Sequence, residues 1–396
     1  MSLYTSAPRE RYTSPSMALI LMSLAGFVGG IPASYAALVP QFAIMLGAPD
    51  WVLTASVMAL PSILPLILFI PMGIIADNTG RRKELIITGF AVGILVHIAL
   101  AYTSSWILFV PLRILTGFPF ALGAVGGAVL ASLVPPEKRG RYFALYSAFS
   151  MLLPGAIWMA VGGWLLKFVG SWTNLFLLCA CAGTVPILCW LPIKAPRVKI
   201  PTRIGRKEFM EVFGNRAIMI VGCSLCLYLL GLQLIYSSYP VVLPLIHKAT
   251  PEFTSLTFSV ISFMMAFGTI IWGPVIDKWG PKTALLIGLS ISVIATFAMI
   301  PLAHYLWPYI VLFWIANLGG IVGNPASMTV ATKSVRTELY TLAINTVNML
   351  VFMPGVISGF ISGPLLFRYG LTTLVTISAI FELVALISMS FAPRTR

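Results

Sequence analysis

Arg113 stands inside an otherwise apolar run, Leu108-Phe109-Val110-Pro111-Leu112-Arg113-Ile114-Leu115-Thr116-Gly117. An arginine at the centre of a bilayer-spanning helix costs roughly 2.5–3.5 kcal/mol on insertion scales, so it is expected to face a cavity and to carry function. Its planar fork of donors matches a carboxylate or a similar anion. Acidic partners for it are scarce. Asp50, Asp77, Glu84, Glu137, Glu252, Asp277 and Glu338 fall in loops or at the ends of apolar runs, Glu208 and Glu211 lie in a polar stretch, and Glu382 alone is well inside a run. The chemistry is therefore recognition of an anion and not bond making. No nucleophile, base and orienting group sit together, and no phosphate-binding glycine loop is present, so neither an enzyme nor an ATP-driven machine is expected. No cofactor is called for.

Cys223 and Cys226 have the C-x-x-C spacing, but no second pair accompanies them and they lie in an apolar run, so Cys179, Cys181, Cys189, Cys223 and Cys226 read as packing residues. His97, His247 and His304 are scattered, the first in a span expected at the periphery, and make no metal site.

The elements that must position Arg113 are membrane helices. Of 396 residues, 59% are hydrophobic and 9% charged, against about 25% charged in a soluble domain. Lipid offers no partners to an exposed backbone, and the apolar runs are long and continuous instead of short and alternating, which excludes a barrel. Twelve spans are expected, at 17–45, 51–76, 84–102, 106–133, 142–168, 172–191, 217–246, 253–276, 283–303, 306–331, 339–367 and 371–391. The first is too long for a signal-peptide core and is expected to be retained.

The net charge of +14 does not point to nucleic acid, because the cations cluster between spans. With both termini cytoplasmic, 21 of the 25 Lys and Arg lie on the inner side, which sets the orientation. Short loops point to a prokaryotic plasma membrane, with membrane lipids and a small-molecule cargo as partners and a monomer as the working unit.

The chain also repeats itself. At an offset of 200 residues Pro40 meets Pro240, Gly73, Asp77 and Gly80 meet Gly273, Asp277 and Gly280, Gly123 meets Gly323, and Pro154, Gly155 and Gly163 meet Pro354, Gly355 and Gly363. Two six-helix bundles are predicted, 1–192 and 217–396. A cytoplasmic linker at 193–216 joins them, and its last part, 206–213, is expected to form a short helix on the membrane surface.

The turn Gly73-Ile-Ile-Ala-Asp77-Asn-Thr-Gly80-Arg81-Arg82-Lys83 resembles the G-x-x-x-D-x-x-G-R-R-[KR] loop of the major facilitator superfamily, and a degenerate copy follows at Gly273-Pro-Val-Ile-Asp277-Lys-Trp-Gly280-Pro-Lys282. Arg113 with Gly117 is similar to the R-x-x-x-G pattern that the family carries in its fourth span. The resemblance covers essentially the whole chain. It implies an all-α membrane fold of twelve helices in two pseudo-symmetric bundles around a cavity open alternately to each side. Spans 1, 4, 7 and 10 would line that cavity, and spans 2, 5, 8 and 11 would meet at the interface.

By the same resemblance Asp77 and Arg81, with Glu137, would hold the cytoplasmic ends together in the outward-facing state, with Asp277 their counterpart. Companions for Arg113 on the lining helices are Tyr35, Gln41, Gln233, Tyr236, Asn317 and Asn324, for each of which helix packing is an equal alternative. Pro154 and Pro354 are expected to bend spans 5 and 11, and Asn345 and Asn348 to hydrogen-bond across the bundles. Span 12 is peripheral in the family, so Glu382 is not expected to carry protons. The leading expectation is a secondary transporter for a small anion. The rivals are an exporter of amphipathic drugs working by proton antiport and a non-transporting receptor or scaffold.

Overall fold

Small polar residues and prolines start the helices. Ser14 accepts a hydrogen bond from Met17 N–H ahead of Pro15, Thr250 caps Phe253 N–H ahead of Pro251, and Ser105, Ser171 and Asn215 do the same for three other spans. A computed structural model describes residues 12–123, 125–135, 142, 145–196, 206–335 and 340–393. Every regular element among them is helical.

The early spans are broken into pieces, with glycine at the break at Gly30 of span 1 and at Gly117 of span 4 but neither glycine nor proline at the 56–58 break of span 2. Span 1 comprises Pro15–Gly29, a 3-10 turn at Ile31–Tyr35 and Val39–Met45. Span 2 comprises Asp50–Ala55 and Ala59–Thr79, and span 3 is Arg82–Ala101. Span 4 runs through Trp106–Leu115, Phe118–Gly123 and Gly126–Leu133. Span 5 opens with a π-helical turn, Ser147–Leu152, and continues as Leu153–Val169. Pro154 cannot donate a backbone hydrogen bond to the preceding turn, which accounts for the widening there. Span 6 is Trp172–Ala182 with Thr184–Trp190.

The later spans are longer: Arg216–Leu245, Pro251–Trp279 and Pro281–Leu302, then Leu306–Gly320 with Gly323–Ser334. Spans 11 and 12 share one continuous segment, Tyr340–Ser390, reversed at Gly370 with φ 83°. The helix predicted on the linker is present at Arg206–Phe213. Its Val212 is buried against Ile218, Ala331, Ala343 and Val347, so the helix is tied to the later spans as well as exposed.

The repeat is visible in backbone and side chains. Gly80 and Gly280 (φ 67° and 81°) and Gly170 and Gly370 (φ 77° and 83°) turn the chain at corresponding places, in a left-handed conformation that favours glycine. Lys83 of span 3 caps the Leu191 carbonyl at the end of span 6, and Lys282 of span 9 caps Ser390 and Ala392 carbonyls at the end of span 12.

Lipid supplies no hydrophobic drive to join helices, so close van der Waals approach and hydrogen bonds must do it. Among the described residues, the first six spans make tight contacts with the last six at the end remote from the termini. A Cβ on Gly163 would lie 2.4 Å from Glu252 Cα, and one on Gly363 2.4 Å from Asp50 O. Gly163 N–H donates to Ser255 Oγ at 3.0 Å, and Thr54 Oγ1 donates to the Gly359 carbonyl at 2.8 Å. Spans 5 with 8 and 2 with 11 therefore form the interface.

Candidate functional site

Arg113 is 6% exposed. Its Nε donates to the Ser56 carbonyl at 2.8 Å and its Nη1 to Thr116 Oγ1 at 3.1 Å. Ser56 lies in the break between the two helices of span 2, where a carbonyl is free to accept the charge. The guanidinium carbon sits 5.4 Å from the centre of the Tyr35 ring, within cation–π range. Two of its five N–H donors are thus used to anchor it.

Tyr35 is held in turn by His97, whose Nε2 lies 3.0 Å from the phenol oxygen. His97 Nδ1 lies 2.7 Å from the Gly93 carbonyl one turn back. A carbonyl can only accept, so Nδ1 carries the hydrogen and Nε2 accepts from Tyr35 in the neutral ring. His97 was expected in a peripheral span with no role, yet it is buried at the site beside Arg113. Neither its partner Tyr35, 62 residues away, nor the inward facing of span 3 is readable from local pattern.

These groups line a cavity of about 420 Å³, inside the usual range of about 300–1,000 Å³ for small-molecule sites. Tyr35, His97, Cys179 and Arg113 line one end of it. Met22, Ile86, Tyr146 and Trp190, near the span ends on the side of the termini, mark its other end, and Phe90, Ile94 and Phe120 form apolar walls. No Asp or Glu is among the described lining residues.

The described lining residues all belong to the first six spans, with spans 2, 3, 5 and 6 contributing alongside 1 and 4. Residues of spans 7 and 10 are not among them. In those spans Tyr239 stacks on Phe313 at 4.8 Å and on Tyr309 at 5.6 Å, all fully buried, and Tyr236 packs on Phe258 at 4.7 Å.

The structure thus brings Arg113 and Tyr35 together, and Gln41, Gln233, Tyr236 and Asn317 are not among the described lining residues. Gln41 is half-buried in the last helix of span 1. Gln233 Oε1 is buried without a hydrogen-bond partner. Asn317 Nδ2 donates to the Phe313 carbonyl of its own helix at 2.8 Å. Asn324 lies in Gly323–Ser334, Gly73 and Asp77 in Ala59–Thr79, Asp277 in Pro251–Trp279, and Asn345 and Asn348 in Tyr340–Ser390. The side chains of these residues lie outside the described part, as does Glu137 altogether. Gly80 makes the left-handed turn and exposed Arg81 starts span 3, its N–H donating to Thr79 Oγ1 at 3.3 Å. Pro154 and Pro354 are buried within their spans.

Glu382 is likewise not among the cavity's described lining residues. It is fully buried between spans 7, 9 and 12, accepting from Ser292 at 2.9 Å and from Thr296 at 3.0 Å. The signal for it was present in the sequence, since an ionisable group deep in a span is functional by default.

A family model described as Major Facilitator Superfamily matches residues 15–359. The class H tetracycline resistance protein of Pasteurella multocida is 24% identical over 314 residues, 76% of each chain. The class B protein of Escherichia coli is 27% identical over 295 residues, 68% of each chain. A solved bacterial homolog of the human lysosomal transporter Spinster, inward-facing and unoccupied, shares the fold with a TM-score of 0.79 at 16% identity, over 98% of each chain. With that model spanning most of its length and the fold matched from end to end, this multi-pass membrane protein belongs to the Major Facilitator Superfamily and is a secondary transporter, not an enzyme.

Proposed function

We propose that the chain moves a small organic anion with an apolar body across a plasma membrane by alternating access, with both termini cytoplasmic. The observation that carries this reading is a buried guanidinium lining an aromatic-walled cavity, with no carboxylate among the described lining residues. Two of its donors are anchored to Ser56 and Thr116 and the Tyr35 hydroxyl stands beside it, which fixes the fork in place, and its charge is the feature that would attract an anionic cargo. Tyr35 and His97 orient it, and Phe90, Ile94, Phe120 and Trp190 would pack on the apolar body. Tight glycine contacts at the end remote from the termini and a cavity reaching toward the other end support an inward-facing arrangement, with 1–192 and 217–396 as the moving bodies and 193–216 as their link.

Thermal-shift measurements on the purified chain test this, because a ligand of the folded state raises its melting temperature by mass action. Aromatic and aliphatic carboxylates are expected to stabilise the wild type and to lose that effect in Arg113→Gln. Stabilisation confined to neutral or cationic compounds, unchanged in Arg113→Gln, would reject an anionic cargo. The second reading, export of amphipathic drugs, is favoured by similarity to two tetracycline resistance proteins and predicts that second result.

A further inference from the structure

The buried carboxyl of Glu382 lies in the last six spans, away from the cavity, and the cargo reading makes no use of it. Its surroundings are all neutral hydroxyls and carbonyls. Oε2 accepts from Ser292 Oγ of span 9 at 2.9 Å and from Thr296 Oγ1 at 3.0 Å, and Oε1 lies 3.1 Å from the same threonine. Tyr228 of span 7 donates to Ser292 at 3.0 Å and also approaches the Ala316 carbonyl of span 10 at 3.4 Å. Ser378, on Glu382's own helix, gives its single hydrogen to the Gly231 carbonyl of span 7 at 2.6 Å and stands 3.5 Å from Oε1. None of these groups is cationic.

An ionised carboxylate sealed from water without a counter-charge is costly, and the usual escape is to take up a proton. The hydrogen count here fits that escape. Oε2 has two hydroxyl donors. Oε1 shares one of them, while the hydrogen of Ser378 is committed elsewhere. A proton on Oε1 would point into the free lone pairs of Ser378 Oγ and continue a chain through Ser378 to the Gly231 carbonyl.

We propose that Glu382 is a proton-carrying site of this transporter, loaded as the carboxylic acid in the arrangement seen here and linked through Ser292 and Tyr228 to span 10. In the binding step one proton from water joins Oε1, an O–H bond forms and the carboxylate charge is cancelled. Unloading reverses it, and the new charge draws the hydroxyls of Ser292 and Thr296 more tightly. Tyr228 has no room to follow freely, because its hydroxyl is pressed on span 10 where a Cβ on Gly320 would lie 2.2 Å from it. The charge state of Glu382 is thereby felt in the packing of span 7 on span 10.

Infrared difference spectroscopy of the full chain in lipid nanodiscs tests this without any cargo, so its failure leaves the anion reading standing and the converse holds. As pH is stepped from mildly acidic to alkaline, wild type is expected to lose the carbonyl band of a protonated carboxylic acid, a band that shifts in deuterium oxide and is missing in Glu382→Gln. Ser378→Ala keeps the carboxyl but removes the acceptor of Oε1–H. It is expected to show the same band displaced to higher frequency, which guards against a folding failure in the first variant. A band equal in wild type and Glu382→Gln, carboxylate signals alone at every pH, or an acid band unchanged across the whole range would each overturn the proposal.

Discussion

Arg113 and Phe313 stand one repeat of 200 residues apart and meet opposite surroundings. Around Arg113 the early spans are broken at Gly30, at 56–58 and at 116–117, and the bundle keeps a cavity with a cation in its lining. Around Phe313 the spans are nearly continuous, the interior is filled by stacked rings of Tyr239, Tyr309 and Phe258, and the titratable group is a carboxyl sealed among hydroxyls. A duplicated frame has thus been given two interiors. The difference follows from chain breaks: each interruption frees backbone carbonyls that can anchor a charge, whereas an unbroken helix spends its carbonyls on itself.

Exchanging the two residues is the severest way to break this contrast. Phe313→Arg places a charge in a stack with no space or partner, at a cost of roughly 3 kcal/mol or more, and little folded protein is expected on size-exclusion chromatography. The reverse change, Arg113→Phe, is expected to fold, because the ring can enter the cavity. It should weaken binding of a stabilising carboxylate about 10- to 100-fold, the loss of a charge-assisted hydrogen-bond pair worth roughly 1.5–3 kcal/mol, as read by calorimetric titration.

The interface gives a smaller effect. Gly163→Ala puts a methyl 2.4 Å from Glu252 Cα, and overpacking of that kind costs about 1–3 kcal/mol. Spin-label distances between spans 5 and 8 should lengthen, whereas Gly155→Ala, with nothing within 4 Å of its Cβ, should leave them unchanged. Smallest of all, Tyr35→Phe removes one hydroxyl partner of His97 and should lower the melting free energy by about 1 kcal/mol while keeping the ring under Arg113.

Much of the frame was legible because its causes are local. Glycines at a constant offset mark turns that need a left-handed backbone, and Gly80 with Gly280 and Gly170 with Gly370 make such turns. Arg113 announced itself by its cost in lipid. The interiors were harder to read. In a soluble helix the apolar face points inward, but a membrane helix is apolar on all sides, so periodicity does not separate the lipid face from the core. That is why His97 and Glu382 were set aside as peripheral, and why Gln41, Gln233, Tyr236 and Asn317 were grouped with an arginine whose described neighbours are Ser56, Thr116 and Tyr35. The contact of Arg113 with Ser56 was equally hidden, since it depends on a break in span 2 that no side chain declares.

The paired lysine caps bear on which parts can travel separately. A helix whose terminal carbonyls are gripped by an ammonium from its neighbour cannot slide along its own axis without giving up a charge-assisted bond. Spans 3 and 6 are fastened in this way near the membrane surface, and spans 9 and 12 likewise. Any rocking that exposes the cavity must carry each fastened pair as one plank, leaving the glycine-lined seams as the places where the structure gives.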